Sequence, residues 1–376
     1  MNAAAAARDE QRIGDKEKHM ADYRNVKADR LTDVVRSIVK AGGSTDREAE
    51  LVSTNLVEAN LKGHDSHGVG MIPRYIESMK EGGLTVNAHV TVVMDAGVML
   101  TLDGNQGYGQ VMGYEAMEMG AERARRNGVC VLGLSNAHHI GRIGHWAEQS
   151  IDHGLVSIHF VNVRSRPIVA PFGGGDARHG TNPFCVGIPR PGKDPIVLDF
   201  ATSMIAQGKT RVAHNKRVEL APGIIIDNEG KPTVDPRYTV IPPFGAIMPF
   251  GEHKGSGLAL ICELLGGALS GGKTWVGPAD NRRQVINGMF SILVDPQKMG
   301  TGENLAKEME AYVAWHIASP PAPGVDRVKI AGEPERLWKK QRLAEGVPVD
   351  PNTWEEIIGA GAKVGLDQAQ LERIAG

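Results

Sequence analysis

The chain has 376 residues, 41% of them hydrophobic, enough to bury a large core spread over more than one domain. Its formal charge of −2 and pI near 6.7 supply no basic field for nucleic acid or an anionic membrane surface. No apolar run reaches the length of a membrane span and no charged-then-apolar leader opens the chain, so a cytoplasmic, enzyme-like protein is expected.

The first stretch, residues 1–20, is Ala-rich and then charged, without apolar periodicity. His19-Met20 resembles a cloning scar, and the stretch reads as a tag-derived or disordered extension, or else as a frayed native helix. Leu31, Val34, Val35, Ile38 and Val39 recur at helical spacing and stop at Gly42-Gly43. A second helix opens on Thr45 and Glu48, a capping-box pair, and carries Ala49, Val52, Leu56 and Ala59. From Val98 the pattern changes to a strand (VMLTLD), a helix closed by Asn127-Gly128 and a buried strand (VCVLGLS). A helix within residues 141–154 and strands at LVSIHFV, PFCVGIP, PIVLDFA and GMFSILVD follow. Residues 255–271 are apolar nearly all round and read as a helix buried in the protein. Beyond Pro296 the pattern is helical again. The layout predicts an N-terminal helical domain over 21–95, a central α/β domain over 96–295 and a C-terminal helical segment over 296–376 that packs on the first. Cys130, Cys185 and Cys262 sit in apolar surroundings without CxxC spacing, which favours buried thiols over a disulfide or zinc site.

A Rossmann half would show a strand, GxGxxG and a helix, with an acidic residue about 20 positions further on. GNQGYG has its glycines at the wrong spacing and GSGLAL lacks the third, so a dinucleotide would have to bind by other means. Four segments could carry chemistry. In GHDSHGVGMIPRY (63–75), Ser66 beside His67 could hold an imidazole in one tautomer for proton transfer, while His64 and His67 have HxxH metal spacing; a Gly-rich turn bonding its own backbone is the alternative. In SNAHHIGRIGHW (135–146), His139 and Arg142 follow a strand end and precede a Gly-punctuated helix start, where amides can hold phosphate, or the histidines simply cap the helix. Thr181 and Asn182 precede a Pro turn, and Asp199 interrupts an apolar strand, where it must find donors or a ligand hydroxyl. In GEHKGSGLAL (251–260), His253 and Lys254 open the apolar helix, so Lys254 either joins free helix amides in an anion site or snorkels to solvent.

Taken together and in this order, GHDSHGVGMIPRY, VSIHFVNV, VAPFGGGDARHGTNPFCVGIPR, LDFATSMIAQGKTRVA and EHKGSGLALICELLGGALSGGKT resemble the malate/L-lactate dehydrogenase family. Its members lack a Rossmann fold and include ureidoglycolate and sulfolactate dehydrogenases and cyclic imino-acid reductases; the similarity runs from about residue 28 to 345. The resemblance implies a mixed α/β (α+β) fold of the non-Rossmann NAD(P)-dependent ketoacid oxidoreductase type, its central mixed sheet flanked by helices from both termini. It implies a homodimer that takes NAD or NADP and a small 2-hydroxy or 2-oxo acid, with no nucleic-acid or membrane partner. It places His67, backed by Ser66, near nicotinamide and substrate, and makes His139 the proton acceptor. It puts Gly141, Arg142 and Ile143, the strand end Val197, Leu198, Asp199, Phe200 and Ala201, and His253, Asn287, Gly332, Glu333, Pro334 and Glu335 on the cofactor. Tyr75, Arg74 and Thr181 fall on the substrate side.

Two departures stand out. Many members carry an Arg four residues after the motif His to clamp the substrate carboxylate; here the position is Met71, so either Arg74 or Arg142 substitutes or the substrate is held differently. Some imine-reducing members place an Asp after the Gly at 208; here it is Lys209, which favours hydroxy-acid chemistry. The expected reaction is direct hydride transfer between C2 of the acid and the nicotinamide, an imidazole carrying the hydroxyl proton and no metal taking part. The rival expectations are a metal-dependent hydrolase or lyase using His64, His67, His138, His139 and His145, and a non-catalytic member of the same fold.

Overall fold

The computed structural model describes residues 23–276, except 216, and 284–376. Residues 1–20, read above as an extension, lie outside the described residues. The chain opens with β1 (Arg24–Val26), followed by α1 (Ala28–Ala41) and α2 (Asp46–Leu61). The apolar stripe of α1 is buried, and Thr45 accepts a hydrogen bond from the Glu48 amide at the start of α2. Only the Thr45 half of the expected capping box forms: the Glu48 carboxylate accepts from the Asn87 amide instead, and Thr45 N donates to Asn87 Oδ1. Two short 3₁₀ turns, Asp65–His67 and Val69–Met71, lead into α3 (Ile72–Lys80). Next come β2 (Thr91–Ala96), β3 (Met99–Asp103), α4 (Gly109–Asn127), β4 (Val129–His138), α5 (Gly144–Asp152), β5 (Val156–Arg164), β6 (Phe184–Ile188), β7 (Ile196–Phe200) and α6 (Gln207–Asn215). The short β8 (Ile225–Ile226), β9 (Pro232–Thr233), α7 (Arg237–Val240) and β10 (Ala246–Ile247) precede α8 (His253–Cys262), which runs on as a π-helical segment, Glu263–Leu269. The chain closes with β11 (Ile286–Val294), α9 (Gly302–Ile317), α10 (Glu333–Glu345), β12 (Val347–Val349), α11 (Pro351–Lys363) and α12 (Gln368–Ala375).

Seven strands form one mixed sheet in the order β2-β3-β4-β11-β5-β6-β7, in which only β3 and β4 run parallel. β2 was not anticipated, although its Thr-Val-Val-Met run is rich in strand-forming residues; all six of its residues are solvent-exposed, so it lacks the alternation of a half-buried strand. The π-helical segment lies directly on the sheet: a Cβ on Gly288 would sit 2.0 Å from the carbonyl of Gly266, so only glycine there lets the two backbones approach. One apolar cluster joins α1, α2 and α3, the sheet and α11. β1 pairs antiparallel with β12, and Arg24 pairs with Glu372, so the first described strand is tied to the C-terminal elements.

The 255–271 helix departs from expectation. Gly255, Ala259, Cys262, Glu263, Gly266 and Gly267 face the protein, but Leu260, Ile261, Leu264 and Leu269 are exposed on the single chain. An all-round apolar sequence therefore covers the sheet with its small residues and presents its large ones outward.

Candidate active site

The turn that carries His67 is fixed from behind by Asn60 on α2. Its Oδ1 accepts from the Val69 amide (2.8 Å) and its Nδ2 donates to Asp65 (2.6 Å). Arg342 of α10 pairs with the same Asp65. His139 follows β4, where Ile140 N donates to Asn287 Oδ1 (3.0 Å) and Asn287 Nδ2 donates to Asn162 O (2.9 Å). Asn287 is thus spent on stitching β4, β11 and β5 together.

These two supports bring His67 and His139 into direct contact. His67 Nδ1 lies 3.1 Å from His139 Nε2, with the rings nearly coplanar. His139 Nδ1 lies 2.7 Å from Tyr75 Oη, and Gln110 Nε2 donates to that same oxygen (2.9 Å). The result is a buried hydrogen-bond chain, Gln110–Tyr75–His139–His67. Both imidazoles are held neutral. Burial, aided by the nearby charges of His64 and Arg142, pushes His67 down to about 4. Burial, then proximity to His67, His138 and Arg74, takes His139 well below the ordinary imidazole range.

The order along this chain differs from expectation. Both ring nitrogens of His139, which is 7% exposed, are bound within the protein. His67 uses only Nδ1; its Nε2 has no partner among the described residues, and the residue is half-buried. The open imidazole nitrogen is therefore that of His67. Tyr75, expected to face substrate, is fully buried behind His139. Ser66, expected to orient His67, instead backs onto Gly208, whose added Cβ would come within 2.8 Å of it. Arg74 is exposed on α3, and Met71 packs partly buried against the core.

A second cluster joins α5 to β7. Asp199 Oδ2 accepts from the Gly144 amide (2.7 Å) and lies 3.8 Å from Arg142 Nη1. Arg142 also pairs with Glu148, which pairs with Lys62 (2.6 Å). The helix start that looked suited to a phosphate is thus already capped by a carboxylate from the same chain. Arg142 is buried in ion pairs and is not placed to clamp a substrate carboxylate. The amides opening α8 are likewise taken: Lys254, Gly255 and Ser256 donate to Gly251, Phe250 and Glu252. Lys254 is solvent-exposed, as in the snorkelling alternative.

The remaining expected residues are linked step by step. Glu335 Oε1 lies 3.4 Å from His64 Nε2, and Val197 N donates to Ala331 O (3.3 Å), which brings the N-terminal end of α10, from Gly332, against β7. Glu333 pairs with Arg327. Ile143 is buried, and Gly141 adopts φ +75° beside Asn55. Thr181 accepts from Thr202 through its carbonyl. Phe200 meets Phe250, just ahead of His253, whose exposed ring touches Phe172. Sequence reasoning missed Gln110, Glu148, Lys62 and Asn60. Lys62 follows Glu58 by four residues, an ion-pair signal, but a glutamine at the start of an apolar helix gives none.

Three features fit a nicotinamide dinucleotide. β7 is an outermost strand, so beyond Val197 its outer backbone groups have no strand partner among the described residues. Leu198 on that strand is 40% exposed, an apolar surface for a planar ring. The open His67 nitrogen carries no charge at neutral pH. Among the described residues, no group of three or more His, Cys, Asp or Glu gathers as a metal would require, and no helix is long and apolar enough to cross a membrane.

Comparison with known proteins gives the same direction. Residues 26–358 match the family model described as malate/L-lactate dehydrogenase. The chain is 44% identical over 347 residues to hydroxycarboxylate dehydrogenase B of Escherichia coli, covering 92% of this chain and 96% of that protein. It is 38% identical over 312 residues to the L-lactate dehydrogenase of Cupriavidus necator, covering 82% and 89%. The solved structure of a malate/lactate dehydrogenase from E. coli superposes with a TM-score of 0.90 at 42% identity, covering 93% of this chain and 98% of that one. By sequence and by fold, the chain belongs to the malate/L-lactate dehydrogenase family.

Proposed function

We propose that the protein is an NAD(P)-dependent oxidoreductase of 2-hydroxy and 2-oxo acids, in which His67 exchanges a proton with the substrate oxygen and His139 and Tyr75 stand behind it. The observation that carries this reading is the hydrogen-bond chain that ends in an open, uncharged nitrogen at His67. When bound, the dinucleotide supplies the hydride chemistry. Leu198 and the outer edge of β7, with Gly332 to Glu335 at the start of α10 beside it, would hold it. His67 Nε2 takes or gives the hydroxyl proton at C2. Lys209 stands on α6, beside the Gly208 that touches Ser66, and offers no carboxylate to that corner of the site.

The same reading takes the enzyme as a cytoplasmic homodimer. The exposed Leu260, Ile261, Leu264 and Leu269 support it, since an apolar stripe of this kind gains by meeting a second copy. The test of activity is the disappearance of NADH or NADPH absorbance with a panel of 2-oxo acids. Turnover with at least one acid is expected, and His67→Ala should lower kcat on the order of 10²–10⁴-fold, the usual effect of losing a positioned acid–base group. His139→Ala should also lower kcat, but with the pH profile shifted, because His67 loses its partner. No consumption of either dinucleotide by any acid would defeat the proposal, and full activity in His67→Ala with none in His139→Ala would return the proton to His139.

A further inference from the structure

Donor and acceptor accounting fixes where each proton sits in the buried chain. Gln110 is 1% exposed, and its Nε2 lies 2.9 Å from Tyr75 Oη and 3.4 Å from the backbone oxygen of His139. A carbonyl oxygen only accepts, so the amide presents its NH₂ group here and leaves its own Oε1 buried without a hydrogen-bond partner among the described residues; turned over, it would set two acceptor oxygens against each other 3.4 Å apart. Tyr75 Oη therefore accepts from Gln110 and still has a proton of its own to place. Tyr75 is fully buried, and the acceptor within reach is His139 Nδ1 at 2.7 Å. His139 then carries its proton on Nε2 and donates to His67 Nδ1 at 3.1 Å. His67 in turn keeps its proton on the open Nε2.

We propose that Gln110 is a positioning residue that sets the direction of this chain, so that the resting enzyme presents an N–H donor at His67 Nε2, matched to the carbonyl oxygen of a 2-oxo acid. The substrate in this statement rests on the dehydrogenase reading above; the direction of the chain does not. A 2-hydroxy acid needs the reverse direction, with His67 Nε2 accepting. Reversal turns His139 Nδ1 into a donor toward Tyr75 and strands the buried Tyr75 proton without an acceptor. A stranded buried donor lowers the population of that arrangement roughly 5- to 150-fold. Gln110 does not touch substrate in this scheme; it acts through Tyr75 and His139.

The experiment reads tautomers in the resting protein. The enzyme is labelled with ¹⁵N-histidine, and the His67 and His139 resonances are assigned by their loss in His67→Gln and His139→Gln. In the parent protein both rings are expected to carry the proton on Nε2 and to leave Nδ1 bare. In Gln110→Glu the carboxyl oxygen can accept the Tyr75 proton, and both rings should move to the Nδ1–H form. Gln110→Met, which removes the donor without adding a charge, should give comparable amounts of the two forms and serves if the Glu variant does not fold. A parent His67 protonated on Nδ1 would overturn the proposal by itself. So would unchanged tautomers in a Gln110 variant that still melts cooperatively. Because nothing is read through turnover, this result stands or falls apart from the dehydrogenase reading.

Discussion

A histidine that must stay neutral to work is served by burial, and here burial reaches His67 more than any partner charge does. An exposed imidazole would lose its basic form near pH 6.5. With His67 held down to about 4, kcat/KM for a 2-hydroxy acid should stay level from neutral pH to about 5 and fall only below that. The sign follows from the role: oxidation needs an uncharged acceptor, so activity is lost as pH drops through the folded-state value. An acid limb at 6.5 in the kcat/KM profile would mean that another group accepts the proton. The motif His and the strand-end His were both legible in the sequence, and so was their common chemistry. Their order was not, because it depends on which nitrogen Tyr75 occupies, and Tyr75 meets His139 across 64 residues of chain.

Between elements, the connection of α5 to β7 rests on Arg142, a charge without solvent that depends on Glu148 and Asp199. Removing one partner from a buried ion pair leaves the others uncompensated, a loss on the order of 3–5 kcal/mol. Arg142→Met should therefore destabilise by about 3 kcal/mol, toward the low end because Lys62 still meets Glu148. Urea denaturation measures this directly; a loss below about 1 kcal/mol would mean that the guanidinium is free for a ligand after all. The sequence placed Arg142 and Asp199 in one site through the family resemblance, and the structure explains their proximity without a ligand. The apolar segment 255–271 makes a similar point. Its hydropathy reports that both faces avoid water, but not whether the outer face is covered by its own chain.

Across the whole molecule, buried neutral histidines couple folding to pH. Burial pushes His138 and His159 down to about 3 and His67 and His145 to about 4, against 6.5 in an unfolded chain. Between those values the unfolded chain binds protons that the folded one refuses, so stability rises with pH there. The melting temperature should be level above pH 7, fall from about 6.5 toward 4, and flatten with respect to these groups below about 3. His159 lies within the sheet, bonded to Ser157 and Ser291, away from the proposed chemistry. His159→Gln should make the acid slope shallower while leaving kcat in place, and an unchanged slope would remove His159 from this account.

The sequence by itself determined the helices with clear periodicity and caps, the inner strands, the absence of a Rossmann motif and the family. Each of these is written within a few dozen residues or in several motifs in one register. Local physics suffices for the helices and strands, since a helix cap or a 3.6-residue stripe carries its own reason, while the family rests on the resemblance of several motifs together. What only the tertiary structure decided is the pairing of groups far apart in the chain: Asn60 holding the His67 turn, a carboxylate from β7 capping α5, and Gln110 aiming Tyr75 at His139. The Val-rich run of β2 became a strand only through pairing with β3, since its exposed residues show none of the in–out alternation that marks a half-buried strand. Polar side chains such as Gln110 carry no pattern along the sequence. Their role is set by which donor or acceptor is left facing them once the core has closed, and that is a property of the packed molecule alone.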